Sequence, residues 1–120
     1  MTHSMENHYD VIVLGAGPAG LAAGLAAHQH GASALLIERE DSPGGILKQC
    51  IHDGFGLIRF GEKLTGPEYA QRYIDMVETA HIPISTATFV TRIEKSAAGF
   101  DLTLVNEDTG VFHVHSSALI

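Results

Sequence analysis

The residues whose types and spacing could do chemistry are Gly15-Ala16-Gly17-Pro18-Ala19-Gly20 and, further on, the acid Glu38. The turn fits G-x-G-x-x-G, a pattern that receives the pyrophosphate of a dinucleotide. Gly15 allows a tight turn off a strand. Gly17 has no Cβ, so a pyrophosphate can approach the backbone, and Gly20 lets a helix pack close to the strand. The free N–H groups of the helix start then face the phosphates, with the positive end of the helix dipole behind them. Glu38 stands 18 residues after Gly20, where a carboxylate accepts hydrogen bonds from ribose hydroxyls. Close packing of an Ala/Gly-rich helix alone would explain Gly20 and Gly24, but not Gly15, Gly17 and Glu38 together.

These residues need elements to position them. Val11 to Leu14 is an apolar run suited to the buried centre of a parallel sheet. Pro18 sits at a helix start, where its missing N–H costs nothing. Ala19 to His30 forms the helix, with Leu21 and Leu25 on one face and Gly31 as its stop. Ala34 to Ile37 is the second parallel strand, ending at the acid. The pattern predicts an α/β, Rossmann-like domain: a parallel sheet with flanking helices.

Between Arg39 and Gly66 no helical or strand period persists, and glycines stand at 44, 45, 54, 56, 61 and 66. Long irregular stretches in compact domains are commonly functional or disordered. Ile46, Leu47, Ile51, Phe55, Leu57, Ile58 and Phe60 are too apolar to stay in water. The stretch therefore reads as a loop packed against a ligand, with a short helical turn at Leu47–Ile51 and Gly44-Gly45 bringing backbone close. Thr65 begins or caps the next helix, with Pro67 in its first turn. Tyr69, Tyr73, Met76 and Val77 recur at helical spacing through Ala80, a stripe read as core. Ile82 to Thr86 is the third parallel strand. Thr88–Glu94, Phe100–Val105 and Val111–His115 alternate, with turns at Gly99 and Glu107-Asp108-Thr109-Gly110, and predict a three-stranded antiparallel meander. Ala118-Leu119-Ile120 reads as the beginning of another buried strand.

The 120 residues suit one domain, 9–120, behind a polar mobile tail, 1–8. The hydrophobic fraction of 45% and charged fraction of 18% suit a packed core. A net charge of −7 opposes nucleic-acid binding. It does not oppose a dinucleotide, because backbone N–H groups and a helix end can hold its phosphates. No apolar run reaches the ~18–20 residues that span a bilayer. The polar start lacks a secretory pattern, so the expected compartment is the cytoplasm. Cys50 is the single cysteine, so no internal disulfide can form. A sheet cut at Ile120 suggests the front part of a longer protein, with a homo-oligomer or a partner chain completing the sheet.

The order of features resembles the N-terminal FAD-binding part of the pyridine nucleotide–disulfide oxidoreductase superfamily. Gly15-Ala16-Gly17-Pro18-Ala19-Gly20-Leu21, Glu38-Arg39, Gly44-Gly45 and the meander after the third parallel strand carry the resemblance over roughly residues 9 to 120. Leu64-Thr65-Gly66-Pro67 before a helix resembles the thioredoxin reductase branch. The stretch Gly44 to Leu57 is similar to bacterial FAD-dependent NAD(P)H oxidoreductases found alongside glycerol-3-phosphate dehydrogenase components. The family's Ala-Thr-Gly turn, its NAD(P)H domain and its later Gly-Asp motif lie outside this chain. A redox disulfide cannot form, so thioredoxin or glutathione reductase activity is not expected.

The resemblance implies roles. Gly15, Gly17, Pro18 and Ala19 would surround the FAD pyrophosphate, and Glu38 would take the adenosine ribose. Arg39 would lie on the adenine or a phosphate, or remain a solvated charge. Gly45, Ile46 and Leu47 would follow the ribityl chain, and Gln49 and Cys50 would approach the flavin ring. Val90 would offer its backbone to adenine, or be an ordinary strand residue. Cys50 is a weak candidate for a redox thiol against a buried structural cysteine, and His52 a weak candidate for a proton donor against a loop histidine. His113 and His115 share a strand face, too few for a zinc site, and no metal is expected. In a complete enzyme, electrons would pass from NAD(P)H through flavin to an acceptor. The alternatives are a non-catalytic truncated dinucleotide-binding module and an NAD-binding Rossmann domain.

Overall fold

The computed structural model describes residues 7–120. Strand β1 (His8–Leu14) leads into the glycine turn, helix α1 (Pro18–Gln29) returns, and strand β2 (Ala34–Ile37) lies parallel to β1. His8, expected in the tail, is a strand residue opposite His115. His3 and the rest of the expected tail, 1–6, lie outside the described residues. After the irregular stretch come a short helix α2 (Leu57–Phe60), helix α3 (Gly66–Thr79) and strands β3 (Ile84–Ser85), β4 (Phe89–Ser96), β5 (Gly99–Asn106) and β6 (Gly110–Leu119).

The six strands among the described residues belong to one sheet in the order β3-β2-β1-β6-β5-β4. The pairs β3–β2, β2–β1 and β1–β6 are parallel, and β6–β5 and β5–β4 are antiparallel. Successive residues of a strand face opposite sides, and here both sides are covered. Val13 and Leu36 pack with Leu21, Leu25, Tyr73, Ile74 and Val77 of the helices. Ile12, Leu35 and Ile37 pack on the other side with Leu102, Leu104 and Val114 of the meander. The Tyr69–Tyr73–Val77 stripe of α3 is core, as its spacing predicts: Tyr73 and Val77 are buried and Tyr69 and Met76 pack beside them.

The last strand of the meander and the strand expected at Ala118–Ile120 are one strand, β6. β6 pairs with β5 from Gly110 to Ser116 and with β1 from His115 to Leu119. The pairing continues through Ile120, whose N–H donates to Ile12 and whose carbonyl accepts from Leu14. Ser116, at the junction, is fully buried. Gly99 makes room for it: a Cβ there, at φ +126°, would stand 2.3 Å from the Ser116 carbonyl oxygen.

Other boundaries also differ from expectation. β3 is shorter than Ile82–Thr86 because Ile82 closes α3, its N–H donating to Val77, and Pro83 has no N–H to offer. Within 39–66, the helical turn is a 3₁₀ segment, Gly45–Gln49. α2 stands between left-handed Gly56 (φ +82°) and Gly61 (φ +70°), and Phe55 bridges to Leu64. No helix among the described residues is long and apolar enough to cross a membrane.

Candidate functional site

The glycine turn is built as its three glycines require. Gly15 has φ +113°, which disfavours a side chain, and its N–H donates to Ile37 at the end of β2. A Cβ on Gly20 would lie 1.8 Å from the Gly15 carbonyl oxygen, so α1 can start here only with glycine. Gly24 is also steric: its Cβ would meet Leu36 at 2.6 Å.

Gly17 is different. Its φ is −77°, open to any residue. An added Cβ would meet only the Gly45 Cα at 3.9 Å, an ordinary contact. Nothing among the described residues demands glycine at position 17.

Gly17 caps α1 and accepts the first intrahelical bond, from Leu21 at 2.9 Å. The N–H groups of Gly17, Ala19 and Gly20 precede that bond and have no intrahelical acceptor, while Pro18 has no N–H. The first turn carries no acidic side chain to compete for them. The space over Gly17, three donors without intrahelical acceptors and the helix dipole together fit a pyrophosphate.

Glu38 is buried at 8% exposure directly beside this turn. Its Oε1 accepts from the Ala16 N–H at 2.9 Å and its Oε2 from the Glu40 N–H at 2.8 Å. Each carboxylate oxygen retains a second lone pair for a hydroxyl. The Ala16 carbonyl accepts from Gly44 at 2.8 Å, so the Gly44-Gly45 loop is tied to the same turn. A Cβ on Gly45 (φ +63°) would come within 3.0 Å of the Gly17 Cα. Gly15, Gly17, Pro18, Ala19, Glu38 and Gly45 thus converge.

The other sequence candidates lie further along the chain. Ile46 and Gln49 are exposed and Leu47 is buried on the 3₁₀ segment. Arg39 is exposed and reaches the exposed Glu40 at 3.8 Å. Cys50 is half-buried, with its Sγ 3.6 Å from the Ile46 carbonyl. Its own carbonyl accepts from Gly66 at the start of α3. The His52 ring lies 3.2 Å from the Asp53 carbonyl and packs on Phe55, as a loop histidine does. Val90 sits on β4 opposite Leu104, beside a register shift before Arg92. His113 and His115 bond to Thr103 and Asp101, and no group of three metal-ligating side chains occurs among the described residues.

Sequence reasoning missed Thr88. Its N–H donates to the Glu38 carbonyl at 3.0 Å, and its side chain is buried among polar partners. A threonine at a strand start gives no signal of this. The neighbouring Ala87 N–H donates to Glu40 at 2.7 Å, so β4 begins against the acid end of β2.

Fold and site define a dinucleotide-binding Rossmann domain. The family model FAD dependent oxidoreductase matches residues 10–55, from β1 through the glycine loop. Sarcosine oxidase subunit alpha of Corynebacterium sp. strain U-96 is 37% identical over 87 residues, covering 66% of this chain and 8% of that one. Ferredoxin–NADP reductase of Streptococcus gordonii is 35% identical over 104 residues, covering 82% of this chain and 31% of that one. The crystal structure of thioredoxin reductase from Lactococcus lactis superimposes with a TM-score of 0.70 at 25% identity, covering 89% of this chain and 33% of that one. The chain is an FAD-binding Rossmann-fold domain related to the thioredoxin-reductase-like branch of the pyridine nucleotide–disulfide oxidoreductases, without a cysteine pair. It spans a third or less of the length of these three proteins.

Proposed function

We propose that this chain is the adenosine- and pyrophosphate-binding part of an FAD-dependent NAD(P)H oxidoreductase. The observation that carries the reading is Gly17: a glycine with an ordinary backbone and open space, set beside three donors without intrahelical partners. A ligand explains it, and internal packing does not. The N–H groups of Gly17, Ala19 and Gly20 hold the pyrophosphate. Glu38 takes the ribose hydroxyls on its remaining lone pairs. Val90 presents backbone to the adenine, and Gly45 and its neighbours Ile46 and Leu47 follow the ribityl chain. Gln49 and Cys50 stand toward the flavin end. When bound, FAD would supply the redox chemistry between NAD(P)H and an acceptor. The chain's own part is to bind and orient. The edges of the sheet, β3 and β4, are where a partner, a second copy or the rest of a longer chain would add.

The test is a visible spectrum of the purified chain after incubation with FAD and desalting. Retained flavin absorption that ADP displaces is the expected result. Retention of NAD⁺ in preference to FAD would replace this reading with an NAD-binding domain. Retention without bleaching by NADH assigns the 120-residue chain to binding alone.

A further inference from the structure

We propose that Thr88 is a positioning residue: its hydroxyl fixes the start of β4 against Glu38 and thereby holds the acid and the glycine turn in binding geometry. The inference rests on the proposed adenosine site and deepens it.

Thr88 is 1% exposed. Its Oγ1 donates to the Thr86 carbonyl at 2.8 Å. A hydroxyl has one proton, so the Ser85 hydroxyl must donate to Thr88 at 2.9 Å. The Asn106 side-chain amide donates to it as well, at 3.2 Å. One donated and two accepted bonds fill the hydroxyl's capacity. Asn106 in turn accepts from the Thr109 N–H at 2.7 Å, which ties in the turn between β5 and β6.

The backbone of the same segment clamps Glu38. The Thr88 N–H donates to the Glu38 carbonyl, and the Glu38 N–H donates to Ser85 at 2.8 Å. The Glu38 carboxylate then holds the Ala16 N–H. A continuous line of hydrogen bonds runs from the meander turn through Thr88 and Glu38 to the glycine turn. Ala87, between the two clamps, has φ +47°, a conformation that alanine adopts at a cost. The network holds it there. Val90, two residues beyond Thr88, is carried by the same anchor, so Thr88 also fixes the distance between ribose acid and adenine edge.

The test compares wild type, Thr88→Val and Thr88→Ser of the 120-residue chain. ADP affinity is measured by calorimetry, and the Ala16 and Glu40 amides are followed by NMR. Valine keeps the shape and removes the hydroxyl, whereas serine keeps the hydroxyl. Thr88→Val should weaken ADP binding about tenfold, the effect of one lost hydrogen-bond network member, and should shift both amides. Thr88→Ser should restore both readouts. A folded Thr88→Val with wild-type affinity and unmoved amides overturns the proposal, as does Thr88→Ser behaving like valine. If Thr88→Val does not fold, Asn106→Ala is judged by the same two criteria. If wild type binds no ADP, the adenosine-site reading fails, and the amide shifts alone decide the positioning role.

Discussion

The Glu38 carboxylate accepts the Ala16 N–H at 2.9 Å, joining the acid end of β2 to the middle of the glycine turn. The acid is therefore structural before any ligand arrives. Glu38→Gln keeps the shape but turns one acceptor oxygen into an NH₂ group. Either the Ala16 or the Glu40 N–H then faces a donor. Removing one partner of a buried hydrogen bond costs about 1–3 kcal/mol. A urea melt of Glu38→Gln should show a loss in that range, and ADP binding should fall further than stability alone explains. Wild-type stability would show that the two backbone bonds carry nothing.

Gly17 and Gly20 stand three residues apart and should respond oppositely to alanine. Gly20→Ala places a methyl 1.8 Å from a backbone carbonyl oxygen, so α1 must shift away from β1. Overpacking of this kind costs about 1–3 kcal/mol or more. Gly17→Ala meets nothing closer than 3.9 Å and should change stability by no more than about 0.5 kcal/mol. It should nevertheless abolish FAD and ADP retention, because the methyl fills the space kept for the pyrophosphate. Thermal melts and ligand titrations of both variants separate the two roles. Intact binding in Gly17→Ala would place the ligand elsewhere.

Much of this was legible because local rules and the global fold agree. The expected order of strand, glycine turn, helix, strand and acid is the order found, with Gly15 in the turn, Gly20 in α1 and Glu38 directly after β2. The capped helix α3 showed itself through Thr65 and Pro67, and the structure adds the reciprocal bond that the Glu68 carboxylate accepts from the Thr65 N–H. Three things were not legible. β6 serves two neighbours because Gly99 opens a close approach to Ser116, a contact between residues 17 positions apart. α2 is too short for a periodic signal. Thr88 matters through partners on three other segments, and no local pattern encodes such a meeting.

Ser116 offers a test of that junction. It is fully buried where β6 passes from β5 to β1, and its Oγ has no hydrogen-bond partner among the described residues. An unpaired buried hydroxyl costs free energy that a methyl does not. Ser116→Ala should therefore be neutral or stabilising, by up to about 1 kcal/mol, in a denaturant melt with an unchanged m-value. A loss of more than about 1 kcal/mol would mean that the hydroxyl is bonded in solution.

His115 gives the domain a pH dependence with a definite sign. Its Nδ1 lies 2.8 Å from the Asp101 carboxylate and its Nε2 3.0 Å from the Ala98 carbonyl, and its ring stacks on His8. Two acceptors on one ring suit the doubly protonated imidazolium, since neutral imidazole has one N–H. The hydrogen bond to Asp101 raises its pKa above the ordinary 6.5; burial opposes this as the next-largest effect, and the hydrogen bond to Ala98 and the charge of Asp101 add to the rise. A group whose pKa is raised on folding binds its proton more tightly in the folded state. Its stabilisation is complete below the unfolded value near 6.5 and is lost as pH rises through the higher folded value. The β4–β5 hairpin, with Ala98 in its turn and Asp101 on β5, should therefore loosen on the alkaline side. NMR titration should give His115 a midpoint above that of a free histidine. Asp101→Asn should lower that midpoint and flatten the fall in stability above about pH 6.5. A His115 midpoint at or below the ordinary value, unmoved by Asp101→Asn, would show that the ring is neutral and bonds to only one of its two acceptors.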